Sequence, residues 1–516
     1  MDRRKLLPAA LNARAATPVG LAALMALAVV LRTTELGIGF WIDEGLSVGI
    51  ADRPLTDIPG TLRLDGSPPL FYVLLHVWMR VFGDSEPAVR AFSLACTVIA
   101  VPVAFWAGRA VFGRLAGWTA AVLATTNPFL TQYGQEGRMY ALVVLVGFVA
   151  CAAFARAYVI EPPGRERRRW AIGFAAALAA LLYTHNWTLF FAAACAGTWL
   201  VLWRLAPLRE RGAFARDGLV GFGGAALLYV PWLPIMIDQT LHTGAPWSDT
   251  PSLGDLLAFP ARVLGAAGHV ALLLAAGAGI GALVLHRRGS VRTRAALVMA
   301  ALAVATVFFA WLASQLSPAW AARYLAAGLA PLLMLAAGGL ANAGRLGLAG
   351  VALVAILGIG TTPPSQKSNV RDVAEAIAPA LRPGDLVVST QPEQIPVLNR
   401  YLPAGLRYAT LTGPVEDTGV TDWRDGVERL EASSPRRHLA PLLDRLPPGR
   451  RLVLVQPVIY GLGRWDEPWT ELVRMRSEAW AQYLSNDARF APVEAEPVDP
   501  PPPAHPLQAT VYVKRG

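Results

Sequence analysis

Long apolar runs alternate with short polar segments over the first 361 residues of the chain. Twelve such runs fall near residues 18–34, 67–82, 88–111, 115–132, 138–159, 170–184, 187–203, 217–237, 260–285, 294–316, 322–341 and 345–361. Most come close to the roughly 20 residues that a helix needs to cross a bilayer. The pattern therefore predicts a polytopic α-helical membrane protein, with a transmembrane domain over residues 1–361 and a soluble domain over residues 362–516.

The soluble tail has the pattern of a small α/β domain. The segment "NVRDVAEAIAPALRPGDLVVST" (369–390) predicts an amphipathic helix, a Pro-Gly turn and a buried strand. The same order returns in "APLLDRLPPG" and "RRLVLVQPVIY" (440–460). An aromatic-rich surface helix is expected over 464–480, and a last strand at "ATVYV" (509–513). No catalytic group of residues is evident in this tail, which favours acceptor recognition or a lid role.

Composition and charge agree with a membrane protein. The chain is 54% hydrophobic and 16% charged, against about 25% charged in ordinary soluble domains. The net charge of +10 comes from basic clusters between apolar runs without aromatic interleaving, which argues against nucleic-acid binding. The three cysteines, Cys96, Cys151 and Cys195, all lie inside apolar runs, so we expect packing residues and no disulfide framework or metal cluster.

The basic clusters also orient the helices. The N-terminus and the loops "GRERRRW" (164–170), "RLAPLRERGAFARD" (204–217) and "HRRGSVRTR" (286–294) are rich in arginine, which is typical of cytoplasmic segments. If all twelve runs crossed the membrane, the loop at 160–169 would face the wrong side. The run 67–82 is short and begins with two prolines, so we read it as a juxtamembrane helix. About eleven spans remain, with the N-terminus cytoplasmic and the soluble domain extracytoplasmic.

This orientation gathers the ionisable residues of several outer loops at one surface. Ionisable groups at membrane depth are expensive and by default suggest a functional site. The candidates are Asp43, Glu44, Asp65, Glu136, Arg138, Tyr140, His185, Arg323 and Tyr324. Structural explanations remain open for some of them: Arg323 could snorkel to the headgroups, His185 could cap a helix, and the tyrosines could belong to an aromatic belt. Carboxylates beside Arg and His fit a site that binds an anion and moves a proton.

Four motifs resemble the bacterial branch of the GT-C glycosyltransferases. They are "FWIDEGLSV" (40–48), "DGSPPLFYVLLHVW" (65–78), "AVRAFSLA" (88–95) and "QEGRMYAL" (135–142). In order and spacing they are similar to the protein O-mannosyltransferase and aminoarabinose transferase superfamily, glycosyltransferase family 39-like, over residues 18–240. The aminoarabinose transferases carry a lysine near the Pro motif, whereas "DGSPP" has none. The Trp-Trp-Asp motif of the oligosaccharyltransferases is absent from the sequence.

The resemblance implies transfer of a sugar from a polyprenyl-phosphate carrier to an extracytoplasmic acceptor, without an obligatory cofactor. It maps the catalytic acid of the first outer loop onto Asp43, beside Glu44, and a second acid onto Glu136. We expect Asp43 to act as general base with a raised pKa, because its apolar neighbours keep it half-dry. Arg138 and Arg323 are the expected phosphate ligands, with Asp65, Tyr140, His185 and Tyr324 as further substrate-binding residues. No metal ligand is expected, although a divalent metal stays possible.

The sugar and the acceptor stay open at this stage. The family implies mannose first and arabinose second, so a hexosyl or a pentosyl transfer. The acceptor could be a protein hydroxyl, a lipid-linked glycan or a wall polysaccharide. A polytopic transporter or lipid flippase is the main alternative, although such proteins usually show internal repeats and polar sites in mid-membrane. A non-enzymatic scaffold is the second alternative.

Overall fold

The protein is described here from a computed structural model, which covers residues 3–265, 267–286, 289–360, 367–459, 466–493 and 505–516. Nineteen of the helices that it describes form a helical region. They are α1 (Arg3–Leu31), α2 (Ile42–Ala51), α3 (Ile58–Asp65), α4 (Leu70–Phe82), α5 (Glu86–Phe112), α6 (Arg114–Thr126), α7 (Pro128–Tyr133), α8 (Tyr140–Ala155), α9 (Arg165–Leu182), α10 (Thr188–Leu205), α11 (Leu208–Gly218), α12 (Gly224–Tyr229), α13 (Leu233–His242), α14 (Leu253–Leu257), α15 (Phe259–Leu264), α16 (Ala267–His286), α17 (Val291–Ser314), α18 (Ala326–Asn342) and α19 (Gly344–Ile359).

The predicted apolar runs are largely helical wherever the structure describes them. Six described helical segments are long and apolar enough to cross a membrane: Glu86–Phe112, Tyr140–Ile160, Thr188–Leu205, Leu208–His242, Val291–Ser314 and Ala322–Asn342. Four shorter apolar helices accompany them: Thr17–Leu31, Leu70–Phe82, Leu273–Val284 and Gly344–Ile359. The predicted polytopic architecture is therefore confirmed, while the count of eleven spans stays a prediction.

Small residues let the central helices pack closely. Helix α5 contacts α6 and α8, and α18 contacts α6, α8, α16 and α17. At the α5–α6 crossing, a side-chain carbon on Gly108 would lie 2.7 Å from the carbonyl oxygen of Ala116, so only glycine permits this approach. The three cysteines are buried here as free thiols, as the sequence predicts.

The C-terminal region, defined here as residues 370–514, is an α/β structure. Its helices are α20 (Val370–Ile377), α21 (Ile395–Tyr401), α22 (Gly426–Glu431), α23 (Ala440–Arg445) and α24 (Pro468–Ser485). Its strands are β1 (Leu386–Ser389), β2 (Arg407–Thr410), β3 (Gly413–Val415), β4 (Arg451–Pro457), β5 (Phe490–Val493) and β6 (Leu507–Lys514). They form one sheet in the order β3-β2-β1-β4-β6-β5, in which β1 runs parallel to β2 and β4 and the other pairs are antiparallel.

The strands predicted near 386–390, 450–460 and 509–513 are confirmed, and so is the helix near 464–480. Helix α24 lies at the surface with one exposed face, on which Met475 is 50% exposed, whereas Trp469 and Trp480 on its other face are 3% and 0% exposed. Both side chains pack into the core beneath the sheet together with Trp423, because large aromatic rings gain most from being removed from water.

The C-terminal region packs on α2, the helix that begins with the Asp-Glu pair. Helix α2 contacts α21 and the short turn Pro392–Gln394. Gly45 and Gly49 lie at this contact: a side-chain carbon on Gly45 would lie 2.7 Å from Cβ of Val397, and one on Gly49 would overlap the backbone of Gly419. The start of α2 is thereby held between the helical region and the C-terminal region.

Candidate active site

Asp43 lies in the first turn of α2 with two arginines beside it. Its carboxylate Oδ2 is 3.8 Å from Nε of Arg138 and 3.7 Å from Nε of Arg323. Arg138 also donates from Nη1 to the Asp43 carbonyl and to Oγ of Ser47, both at 3.1 Å. The N-terminal end of a helix favours a carboxylate, so backbone and side chains together stabilise an anion at this point.

The Asp43 carboxylate lies on the wall of a cavity of about 650 Å³. This is within the range of roughly 300–1,000 Å³ that small-molecule sites occupy. Six of the nine predicted site residues line it: Asp43, Asp65, Arg138, His185, Arg323 and Tyr324. They come from five separate segments of the helical region, and the C-terminal region supplies a further wall. The structure thus brings these six residues together, and their roles stay a prediction.

The expected raised pKa of Asp43 is wrong. Burial does raise the pKa of the Asp43 carboxyl, but the nearby positive charges of Arg138, Arg323 and Lys367 outweigh that effect, and its pKa lies below the usual 3.8. Asp65 and Glu136 behave as desolvated carboxyls do, because burial raises the pKa of each. Asp43 is therefore an anion at neutral pH.

Glu44 does not face the cavity. Its two carboxylate oxygens accept hydrogen bonds from Arg90 at 2.8 and 2.6 Å, and one of them also accepts from the backbone of Gly137 at 2.8 Å. Arg90 in turn donates to four carbonyl oxygens of the segment before α2, those of Glu35, Leu36, Ile38 and Gly39. Glu44 therefore joins three segments, and the structure offers it no contact with a substrate.

Glu136 is also committed to a partner within the protein. It forms an ion pair with Lys367, whose ammonium lies 4.3 Å from the centre of the Trp41 ring. Glu136 is 5% exposed and does not line the cavity. Lys367 lies just before the C-terminal region, so this pair connects that region to the turn that presents Arg138.

The remaining predicted residues form an aromatic and polar wall. The His185 ring lies 4.8 Å from that of Tyr324, and its Nδ1 accepts a hydrogen bond from the backbone of Trp187 at 3.1 Å. Burial, reinforced by the two arginines, lowers the pKa of His185 to about 3, so the imidazole is neutral. Tyr140 is fully buried behind this layer and does not line the cavity.

Arg323 is the cation best placed for a ligand. Among the described residues its guanidinium makes no hydrogen bond, whereas that of Arg138 is bonded to Asp43 and Ser47. Its side chain is 25% exposed and lines the cavity. A guanidinium with free donors is suited to two parallel hydrogen bonds with a phosphate. Nothing in the described residues groups three or more His, Cys, Asp or Glu side chains for a metal ion.

Sequence reasoning missed several residues of this site. Arg90 lies in the motif "AVRAFSLA" (88–95). Its lone charge within an apolar run is the signal that could have identified it. Lys367 and the cavity-lining residues of the C-terminal region, Gln391, Glu393, Trp423, Glu467, Thr470 and His505, carried no local signal. Their position depends on how the two regions pack.

Comparison with known proteins supports the resemblance seen in the sequence. The sequence model of the family "Dolichyl-phosphate-mannose-protein mannosyltransferase" matches residues 66–233. No curated protein sequence matches the chain. Solved structures do match its fold over most of its length.

Three of those structures are informative. ArnT from Cupriavidus metallidurans bound to undecaprenyl phosphate has a TM-score of 0.58 at 15% identity, covering 96% of this chain and 97% of ArnT. The oligosaccharyltransferase AglB from Archaeoglobus fulgidus gives 0.54 at 11%, covering 84% and 68%. The arabinofuranosyltransferase AftD from Mycobacteria gives 0.55 at 15%, covering 100% of this chain and 40% of AftD. The chain thus has a GT-C-like fold with apolar helices and a C-terminal sheet region.

Proposed function

We propose that this protein is an integral-membrane glycosyltransferase. Its fold is that of GT-C glycosyltransferases of the protein O-mannosyltransferase and ArnT type, and part of its sequence matches the family model. It moves a sugar from a polyprenyl-phosphate donor to an extracytoplasmic acceptor. The sugar is mannose, in keeping with the matched family, and arabinose is the second candidate.

One observation carries this proposal: a half-buried aspartate and an arginine that makes no hydrogen bond to any described residue meet on the wall of one cavity beside apolar helix ends. The cavity lies next to Leu189 and Phe190 at the start of a predicted span. With its polyprenyl tail lying among the apolar helices, the donor would place its phosphate beside Arg323 on the cavity wall. The carboxylate of Asp43 then lies beside the bond that must break.

Arg323 holds the donor phosphate, and Arg138 fixes Asp43. The leaving group is a phosphate anion, whose developing charge a guanidinium stabilises through paired hydrogen bonds. Arg138 donates hydrogen bonds to the backbone carbonyl of Asp43 and to Oγ of Ser47, and in this way it orients the Asp43 carboxylate. The proposed donor-binding residues are thus Arg323 first, with Arg138, Asp65, His185 and Tyr324 around the sugar.

Asp43 is the general base of a direct displacement. The acceptor hydroxyl oxygen bonds to the anomeric carbon while its proton passes to Asp43. The bond between that carbon and the phosphate oxygen breaks, and its electron pair leaves with the polyprenyl phosphate. Attack from the face opposite the leaving group inverts the anomeric centre. Because the resting pKa of Asp43 is low, donor phosphate on Arg323 would offset part of the positive charge and make the base stronger once the donor is bound.

Glu44 and Glu136 are positioning residues in this scheme, since their carboxylates are bonded to Arg90 and Lys367. The topology retains the eleven predicted spans, with the domain boundary at residues 361 and 362 and the N-terminus in the cytoplasm. The C-terminal domain then lies outside the cell, where the acceptor is.

The test is Asp43→Asn in membranes supplied with labelled polyprenyl-phosphomannose and, separately, polyprenyl-phosphoarabinose. Loss of a general base lowers turnover by about 10²–10⁴-fold. The matched control is Asp52→Asn, since Asp52 is an exposed acid of the same loop. Full transfer by the Asp43 variant would refute the assignment.

The same membranes separate an enzyme from a flippase. A flippase moves the labelled lipid between leaflets without creating a new glycosidic bond. Label that appears in a water-soluble or wall-bound glycan requires transfer. Wild-type membranes that redistribute the lipid but never release its sugar would favour the transporter.

A further inference from the structure

The cavity around Asp43 has two unlike walls. The helical region contributes apolar side chains, among them Leu46, Leu189, Phe190 and Met236. The C-terminal region contributes a polar and aromatic wall of Gln391, Glu393, Trp423, Glu467 and Thr470. A lipid-linked donor accounts for the apolar wall, but it leaves the C-terminal wall without a role.

Tryptophan rings from both regions line the cavity next to each other. The rings of Trp247 and Trp423 lie 4.8 Å apart, and Trp423 lies 4.9 Å from Trp469. Trp247 and Trp423 both line the cavity. The face of an aromatic ring is electron-rich, so it attracts the weakly positive C–H bonds on the face of a sugar ring.

A buried carboxylate lies beside these rings. Glu393 is 7% exposed, and burial raises its pKa. It accepts hydrogen bonds from Gln391 at 3.0 Å and from Nε1 of Trp469 at 3.3 Å. No described basic side chain lies within 4.0 Å of it. A carboxylate without a counter-ion on a cavity wall has acceptor positions left for hydroxyl groups.

Neutral polar atoms without partners point the same way. Within the described residues, Oε1 of Gln239, Oδ1 of Asn186 and Nε1 of Trp247 are buried and have no hydrogen-bond partner. All three side chains line the cavity, and Gln239 is only 2% exposed. Buried polar groups are nearly always bonded to protein or to ordered water, so these atoms are positions at which hydroxyl groups of a ligand can replace water. They include both acceptors and a donor, and a hydroxyl group satisfies either kind.

We propose that the C-terminal wall, together with Trp247 of the helical region, is the acceptor subsite. The acceptor is a neutral glycan bound by stacking on Trp247 and Trp423 and by hydroxyl contacts to Glu393. The assignment rests on the proposed function for the identity of the other substrate. The donor sugar is tied to the phosphate and therefore to Arg323. The space walled by the C-terminal region belongs to the molecule that arrives from the aqueous side, with its hydroxyl directed at Asp43.

Direct binding tests this subsite without any turnover. The full chain carrying Asp43→Asn is placed in nanodiscs and titrated with mannotetraose, arabinotetraose and a serine- and threonine-rich peptide. Glu393→Gln and Trp423→Phe, each added to that background, should weaken oligosaccharide binding about tenfold, since each removes part of one contact set. Undecaprenyl phosphate binding should be unchanged in both.

Matched controls are Glu431→Gln, an exposed glutamate of the same region, and Trp106→Phe on α5, away from the cavity. Both should bind the oligosaccharides as the parent chain does. Three results would each overturn the subsite. They are equal oligosaccharide binding by all variants, binding of the peptide alone by the parent chain, and binding of none of the probes by the parent chain. An active Asp43→Asn enzyme would instead overturn the proposed function, so the two failures are distinguishable.

Discussion

Asp43 shows how a single carboxylate is tuned by the charges around it. Burial raises a carboxyl pKa, while opposite charges within a few ångströms lower it. Here the arginines and Lys367 prevail, and the residue rests as an anion. The same burial without such close cations leaves Asp65 with a raised pKa. The pKa values of Asp43 and Asp65 therefore shift in opposite directions because their charged neighbours differ.

This balance predicts a pH effect for Lys367→Gln. The substitution removes one of the charges that lower the pKa of Asp43, so that pKa rises. A base must be ionised to act, and the acid limb of the kcat/KM profile therefore moves to higher pH. Asp43 stays ionised at pH 7, so any loss of rate there reports the buried Glu136 left without its partner, while the shift of the acid limb reports Asp43.

The measurement is the pH dependence of kcat/KM for labelled donor. Arg371→Gln serves as control, because Arg371 pairs with Glu86 and does not act on Asp43. An acid limb that moves to lower pH, or stays in place, would contradict this account of the base.

At the scale of elements, the start of α2 is held by a buried ion pair. Glu44 and Arg90 are 0% and 2% exposed, and together they connect α2, α5 and the turn after α7. The first of these elements presents Asp43 and the last presents Arg138. The geometry of the site therefore depends on a pair that does not touch the substrate.

Glu44→Ala should destabilise the protein strongly. Removing one partner leaves the Arg90 charge buried and uncompensated, which costs about 3–5 kcal/mol. Thermal unfolding of the protein in detergent or nanodiscs measures this loss. Asp52→Ala, which breaks the exposed pair with Arg80, should cost less than about 1 kcal/mol. Similar melting temperatures for the two variants would show that the Glu44 pair is not structural.

At the scale of the whole molecule, the packing of the C-terminal region on the helical region supplies one wall of the cavity. Gly49 allows this contact, since any side chain there would overlap the backbone of Gly419. Lys367 and Glu136 add an ion pair across the same boundary.

Gly49→Ala should therefore loosen the two regions. We expect faster proteolysis of the segment between them and a fall of about tenfold or more in transfer, because a misplacement of about 1 Å costs up to 10²-fold in rate. Limited proteolysis and donor turnover are measured together. Gly60→Ala is the control, since its added carbon would meet nothing within 4 Å. Unchanged cleavage would contradict the packing account, and faster cleavage with unchanged transfer would show that this contact is not needed for the function.

The helical runs and the α/β tail could be predicted from local patterns in the sequence, and so could the outer loops from which the residues lining the cavity come. These follow from local patterns, because apolar length, turn residues and basic loops act over short distances. The partners and the pKa of each charged group depend instead on how distant segments of the chain pack together. Asp43 and Glu44 are adjacent in the chain, yet one faces the cavity between two arginines and the other is bonded to Arg90. Arg90 lies 46 residues from Glu44 and Arg138 lies 95 residues from Asp43, while Arg323 is farther still along the chain. Coulomb energy depends on distance in space, not on separation in the sequence.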